Sequence, residues 1–72
     1  MLLQPGMTVL ARSLSMRREI QAVLEGRNGC RPHEWLARWQ DRRGEHVAIV
    51  CPENLLAVQT ENGFQRVMPG VE

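Results

Sequence analysis

Apolar and polar residues alternate with period two along much of this chain. In REIQAVLE (18–25), Ile20, Ala22 and Leu24 share one face, with Glu19, Gln21, Val23 and Glu25 on the other. In EWLARWQ (34–40), Trp35, Ala37 and Trp39 lie opposite Glu34, Leu36, Arg38 and Gln40. In EHVAIVC (45–51), Val47, Ile49 and Cys51 fall together, and MTVLAR (7–12) and LLAVQT (55–60) are two further short segments. Turn formers separate them: Pro5-Gly6, Gly26-Arg27-Asn28-Gly29, Pro32, Arg43-Gly44, Pro52, Asn62-Gly63 and Pro69-Gly70. Successive side chains of a strand point to opposite faces, so this spacing predicts an all-β domain of five short strands closed into a small barrel. Asp41-Arg42-Arg43-Gly44 reads as a hairpin turn with glycine at its end. The whole chain, 1–72, is one domain with its core in 5–60, and 61–72 is a tail or an extra strand.

A helical alternative exists. SMRREIQAVLEG places Met16, Ile20, Val23 and Leu24 at helical spacing between Ser15 and Gly26. PHEWLARWQDRRG opens with Pro32 and ends at Gly44, with Trp35, Leu36 and Trp39 as its stripe. Two helices followed by a hairpin would make an α+β, winged-helix-like domain. Whether 15–25 and 32–43 are strands or helices is not decided by periodicity.

The stretch HVAIVCPENLLAV (46–58) favours strands. Pro52 lacks an N–H and cannot continue a central strand. Pro52-Glu53-Asn54-Leu55 suits a single 3₁₀ turn, after which a strand restarts at a new angle. With Pro5-Gly6-Met7-Thr8-Val9, Trp35-Leu36-Ala37-Arg38-Trp39 and Gly44, this turn resembles the Src-homology-3-like barrels, in particular their Tudor-like and bacterial relatives, over residues 5–58. The resemblance implies a five-stranded barrel with a 3₁₀ turn before the last strand; it implies little about function. Tudor-like cages need several clustered aromatic rings. Trp35, Trp39 and Phe64 are the aromatic residues here, so no cage is carried over. The pattern is also similar to the small plasmid-borne dihydrofolate reductases. Their Val-Gln-Ile-Tyr strand corresponds to Val47-Ala48-Ile49-Val50, which lacks the polar positions, so that activity is not carried over either.

Length makes the core marginal: a domain of this size buries only about 60% of its unfolded surface. The net charge is +1, unevenly spread. Residues 12–43 carry eight arginines against Glu19, Glu25, Glu34 and Asp41, whereas 44–72 carry Arg66 against four glutamates. Every basic residue is arginine, whose planar fork suits phosphate and carboxylate. No segment has the run of apolar residues that a membrane helix needs. MLLQPGM has no basic region before an apolar run, and Cys30 and Cys51 form no CxxC pair. A cytoplasmic protein with free thiols, no membrane and no signal peptide is expected.

Catalytic signatures are lacking. There is one Asp and no Tyr, no Ser-His or paired-carboxylate arrangement, and Gly26-Arg27-Asn28-Gly29 lacks the Lys-Ser/Thr of a phosphate loop. Ser13 and Ser15 read as turn residues. Cys30-x2-His33 and His46-x4-Cys51 offer zinc-type donors, but the spacing is loose, so no metal ligand, catalytic residue or cofactor is assigned. The expected function is a small non-enzymatic regulatory binding module. Its leading partner is nucleic acid, contacted through Arg12, Arg17 and Arg18 at the first long loop and Arg38, Arg42 and Arg43 on the central hairpin. The alternative is a protein–protein interaction module using Leu2, Leu3 and exposed apolar residues such as Val23 and Leu36. A homodimer is also expected, through the apolar segments MLL and FQRVM (64–68), because a small core leaves strand edges to cover.

Overall fold

The computed structural model describes residues 3–13 and 17–67. Six strands form one antiparallel sheet: β1 (Thr8–Arg12), β2 (Glu19–Asn28), β3 (Arg31–Asp41), β4 (Gly44–Val50), β5 (Leu55–Thr60) and β6 (Gly63–Arg66). A 3₁₀ turn, Pro52–Asn54, separates β4 from β5. The chain is therefore all-β, and no α-helix occurs among the described residues. The winged-helix alternative fails in both its helices. Ile20, Ala22 and Leu24 are at most 5% exposed, Val23 between them is half-buried on the other face, and Trp35, Ala37 and Trp39 repeat the pattern in β3. Cross-strand pairs such as Leu24–Ala37 and Val23–Arg38 override the local helical preference of these segments.

The strand order is β4-β3-β2-β1-β5-β6. It gives the proline corner its meaning. β4 and β5 are consecutive in the chain, but three strands lie between them in the sheet. In a flat sheet their axes would be about 19 Å apart, at roughly 4.8 Å per strand. The 3₁₀ turn advances only about 6 Å over its three residues. The sheet must therefore curl until the end of β4 approaches the start of β5. The shape agrees: the shortest extent is 22 Å and the radius of gyration 11.3 Å, close to the value of about 11 Å for a compact chain of this length.

Irregular pairing supplies the bend. Register shifts occur at Leu10/Ala11, Leu24/Gly26 and Arg27/Asn28. Such bulges raise local twist and turn a strand. The concave face then closes over Val9, Ala11, Leu24 and Ala37, all fully buried, with Trp35, Val50, Leu55 and Val58 beside them. Leu3 joins this core at 5% exposure, so it is not the exposed contact residue that the sequence suggested; Leu2 lies outside the described residues.

The closed five-stranded barrel is corrected in two respects. The tail after Asn62-Gly63 folds back as β6 and pairs with β5 from Ala57–Arg66 to Thr60–Gly63. β6 takes the side of β5 that a closing strand would need, so the sheet stays open, with β4 and β6 as its edges. Gly63 makes this return possible at φ 99°, a backbone region that L side chains rarely adopt.

Candidate nucleic-acid interface

The tip of the β3–β4 hairpin carries two adjacent exposed arginines. Asp41 and Gly44 close it, leaving Arg42 and Arg43 as the exposed two-residue loop. Gly44 sits at φ 121°. The Arg43 backbone N–H donates to Asp41 Oδ1 at 2.7 Å, and His46 Nε2 lies 2.9 Å from the same oxygen. These hydrogen bonds, that of His46 first, hold the Asp41 carboxyl below its ordinary value of 3.8 and keep it ionised. Behind the tip, the His46 ring stacks on Trp39 with centroids 4.6 Å apart and planes 28° apart. The two residues are a cross-strand pair. The Arg18 guanidinium lies 5.5 Å from the Trp39 ring, within cation–π range. Trp39 thus props an arginine from the first long loop against the hairpin.

Together, Arg18, Asp41, Arg42 and Arg43 line an open concavity of about 660 Å³. Three arginines and one carboxylate line it, and both hydrogen bonds of that carboxylate described above come from within its own hairpin. The wall is cationic and has the arginine forks that bind oxyanions bidentately.

The other expected arginines lie elsewhere. Arg38 is on the outer face of β3, with Nε 3.4 Å from Oε1 of both Glu25 and Glu45. Two carboxylates offset its charge. Arg12 ends β1 opposite Glu19. Arg17 lies in the β1–β2 loop at φ 54°, a left-handed conformation that costs a non-glycine residue about 1–2 kcal/mol. Its N–H donates to the Ser13 carbonyl at 2.9 Å, and the Ser13 N–H donates to the Arg18 carbonyl at 2.8 Å. Ser13 is buried beneath this closure, which sets where Arg18 leaves the loop; Ser15 lies outside the described residues.

The structure thus gathers Arg18, Arg42 and Arg43 and separates them from Arg12, Arg17 and Arg38. Sequence reading missed the supports, Trp39, His46 and Asp41. The signal was present: once Asp41–Gly44 is taken as the hairpin closure, counting back two pairs sets Trp39 opposite His46.

Of the four zinc-type donors, His46 is engaged with Asp41 and Cys30 is exposed. His33 and Cys51 do meet, and they meet Glu34, which the sequence reading had not included. Burial, then the charges of Glu53 and Glu34, push the Cys51 thiol up.

Comparison of the chain with protein-family models, curated proteins and solved structures finds no match.

Proposed function

We propose that this protein is a small, non-enzymatic regulatory module that binds the phosphate backbone of nucleic acid through Arg18, Arg42 and Arg43. The observation that carries this reading is their convergence on one open concavity. Exposed cations held on a rigid hairpin position a protein on a polyanion without reading base sequence. Trp39 is 8% exposed and already stacked by His46, so base stacking on it has no part in the reading. The antiparallel order with β1 between β2 and β5, and the 3₁₀ turn before β5, support reading the curled sheet as an opened relative in shape of the Src-homology-3-like barrels. Two free thiols suit a cytoplasmic setting. No helix among the described residues is long and apolar enough to cross a membrane.

The test is fluorescence anisotropy of labelled duplex and single-stranded oligonucleotides. Salt-sensitive binding by the wild type is expected, with the Arg42→Ala/Arg43→Ala variant weakened on every sequence alike.

A second reading, a protein-interaction module, is favoured by one observation. Edge strand β4 exposes Val47 at 67% and Ile49 at 43%. An open strand edge flanked by apolar side chains accepts another strand. Val23 and Leu36, named from sequence for this role, are half-buried on the neighbouring strands. The expected homodimer shifts from FQRVM, whose Phe64, Gln65 and Arg66 pair with β5 of the same chain, to the edge of β4, and sedimentation across a concentration series tests it: mass constant at 8.2 kDa overturns it. A pull-down that returns one stoichiometric protein, with no salt-dependent nucleic-acid binding, selects the second reading over the first.

A further inference from the structure

At the other end of β3 from the arginine tip, three side chains of different chemistry converge. His33 and Glu34 lie near the start of β3. Cys51 follows β4 directly, and because Trp35 pairs with Val50, the next step along the ladder sets Glu34 beside Cys51. An imidazole nitrogen, a carboxylate oxygen and the thiol sulfur all lie within 4.8 Å of one another. We propose that His33, Glu34 and Cys51 form a binding site for a borderline-soft divalent cation of the zinc type. The inference is independent of the arginine surface.

The donor set carries the choice of ion. Nitrogen, sulfur and oxygen ligands together suit zinc and cobalt, whereas magnesium and calcium demand oxygen alone. Bond lengths near 2.0–2.3 Å put tetrahedral ligand atoms about 3.3–3.8 Å apart, so the cluster closes on an ion with about 1 Å of side-chain movement. His33 Nε2 and Glu34 Oε2 are already 3.9 Å apart.

The surroundings hold two of the ligands. The Asn28 side-chain amide donates to Glu34 Oε1 at 3.2 Å, leaving Oε2 on the His33 side. Such an outer partner orients a metal ligand. Cys51 caps the 3₁₀ turn, and its carbonyl accepts the Asn54 N–H at 2.9 Å. Glu34 and Cys51 are buried at 9% and 7% exposure, while His33 is exposed, which leaves a path for the ion and room for a water as fourth ligand. Arg31 Nη1, 3.6 Å from Glu34 Oε2, is the competing cation. Its side chain is 70% exposed and free to swing into solvent. On binding, the thiol proton leaves to solvent. Thiolate, carboxylate and neutral imidazole then offset the two charges of the ion. The ion would clip the start of β3 to the corner after β4, a staple of the kind that small domains use.

Cobalt(II) titration of the full reduced chain tests the site, because a cysteine thiolate on cobalt gives a charge-transfer band. One equivalent is expected to bind and to be displaced by one equivalent of zinc. Cys51→Ser is expected to abolish the band, His33→Ala and Glu34→Gln each to weaken binding at least tenfold, and Cys30→Ser to leave it unchanged. Circular dichroism verifies folding. If Cys51→Ser does not fold, the His33 and Glu34 variants decide through the same band. The proposal is overturned if the wild type gives no thiolate band in excess cobalt, if Cys30→Ser removes the band, or if His33→Ala and Glu34→Gln both bind as the wild type does.

Discussion

Replacing Arg42 and Arg43 together by alanine should change how binding to nucleic acid depends on salt, and by a calculable amount. Arg18, Arg42 and Arg43 line the concavity at the hairpin tip. If each neutralises one phosphate, the logarithm of affinity for a duplex falls with the logarithm of salt at a slope of about −2.7, and for a single strand at about −2.1. Between roughly 50 and 200 mM salt, duplex affinity then drops about 40-fold and single-strand affinity about 20-fold. The double variant keeps Arg18 alone, so its duplex slope is about −0.9 and the same change of salt costs it only about 3.5-fold. Arg38→Ala is the matched control, because Glu25 and Glu45 already offset that guanidinium; its slope stays at the wild-type value. Anisotropy titrations of labelled oligonucleotides at four or more salt concentrations measure all of these. The effects should be the same for unrelated sequences, since phosphate contacts carry no base information. A wild-type slope near zero refutes the reasoning. So does a double variant with the wild-type slope, or an Arg38→Ala variant that loses as much as the tip variant.

Three further outcomes follow from the fold. Leu24→Ala empties a fully buried site and is expected to cost about 2.7–5 kcal/mol, a large part of the roughly 4–11 kcal/mol available to a chain this long; a loss of less than half that, from the urea midpoint shift multiplied by the slope of the transition, would mean the sheet relaxes into the cavity. Gly44→Ala meets no atom within 4 Å of the new Cβ but must hold φ 121°, so it should cost about 1–3 kcal/mol from backbone strain alone, read by thermal melting. Asp41 is held below its ordinary value of 3.8, so its ionised form is favoured in the folded state. Its contribution to stability is complete above pH 3.8 and lost as pH falls through the lower folded value; the stability difference between wild type and Asp41→Asn should therefore shrink below pH 3.8, and a difference that persists there contradicts the assignment.

Much of the fold was legible because strand physics is local. Alternation at Ile20, Ala22 and Leu24, and at Trp35, Ala37 and Trp39, marked the buried face of two strands correctly. Pro52 marked the 3₁₀ corner, and Asp41–Gly44 marked the hairpin. β4 was ambiguous, since it carries apolar residues on both faces. Val47 and Ile49 share a face as expected, but it is the solvent face. Pairing with β3 decides this: Trp35 opposite Val50 and Ala37 opposite Ala48 put the even-numbered residues inward. Cys51, in phase with Val47 and Ile49, is buried because the strand ends at Val50 and the chain turns there. One step of register separates the two outcomes, and a side-chain period of two cannot specify which.

Sequence by itself thus marked the buried positions of β2 and β3, the 3₁₀ corner at Pro52 and the Asp41–Gly44 hairpin, while leaving 15–25 and 32–43 open between strand and helix. Tertiary structure alone decided the rest. The open edge of the sheet depends on β6 returning to β5, a pairing that the tail sequence permits without demanding. Which arginines act together depends on distances between residues far apart in the chain: Arg18 reaches the hairpin tip over Trp39, while Arg38, only four residues from Arg42, is held by Glu25 and Glu45. Glu34 beside Cys51 follows from the same hairpin count that pairs Trp39 with His46, but the approach of the His33 ring to both is a matter of side-chain placement that no count supplies. Residue type fixes what a side chain can do, but convergence of side chains is set by long-range pairing, which a linear pattern does not encode.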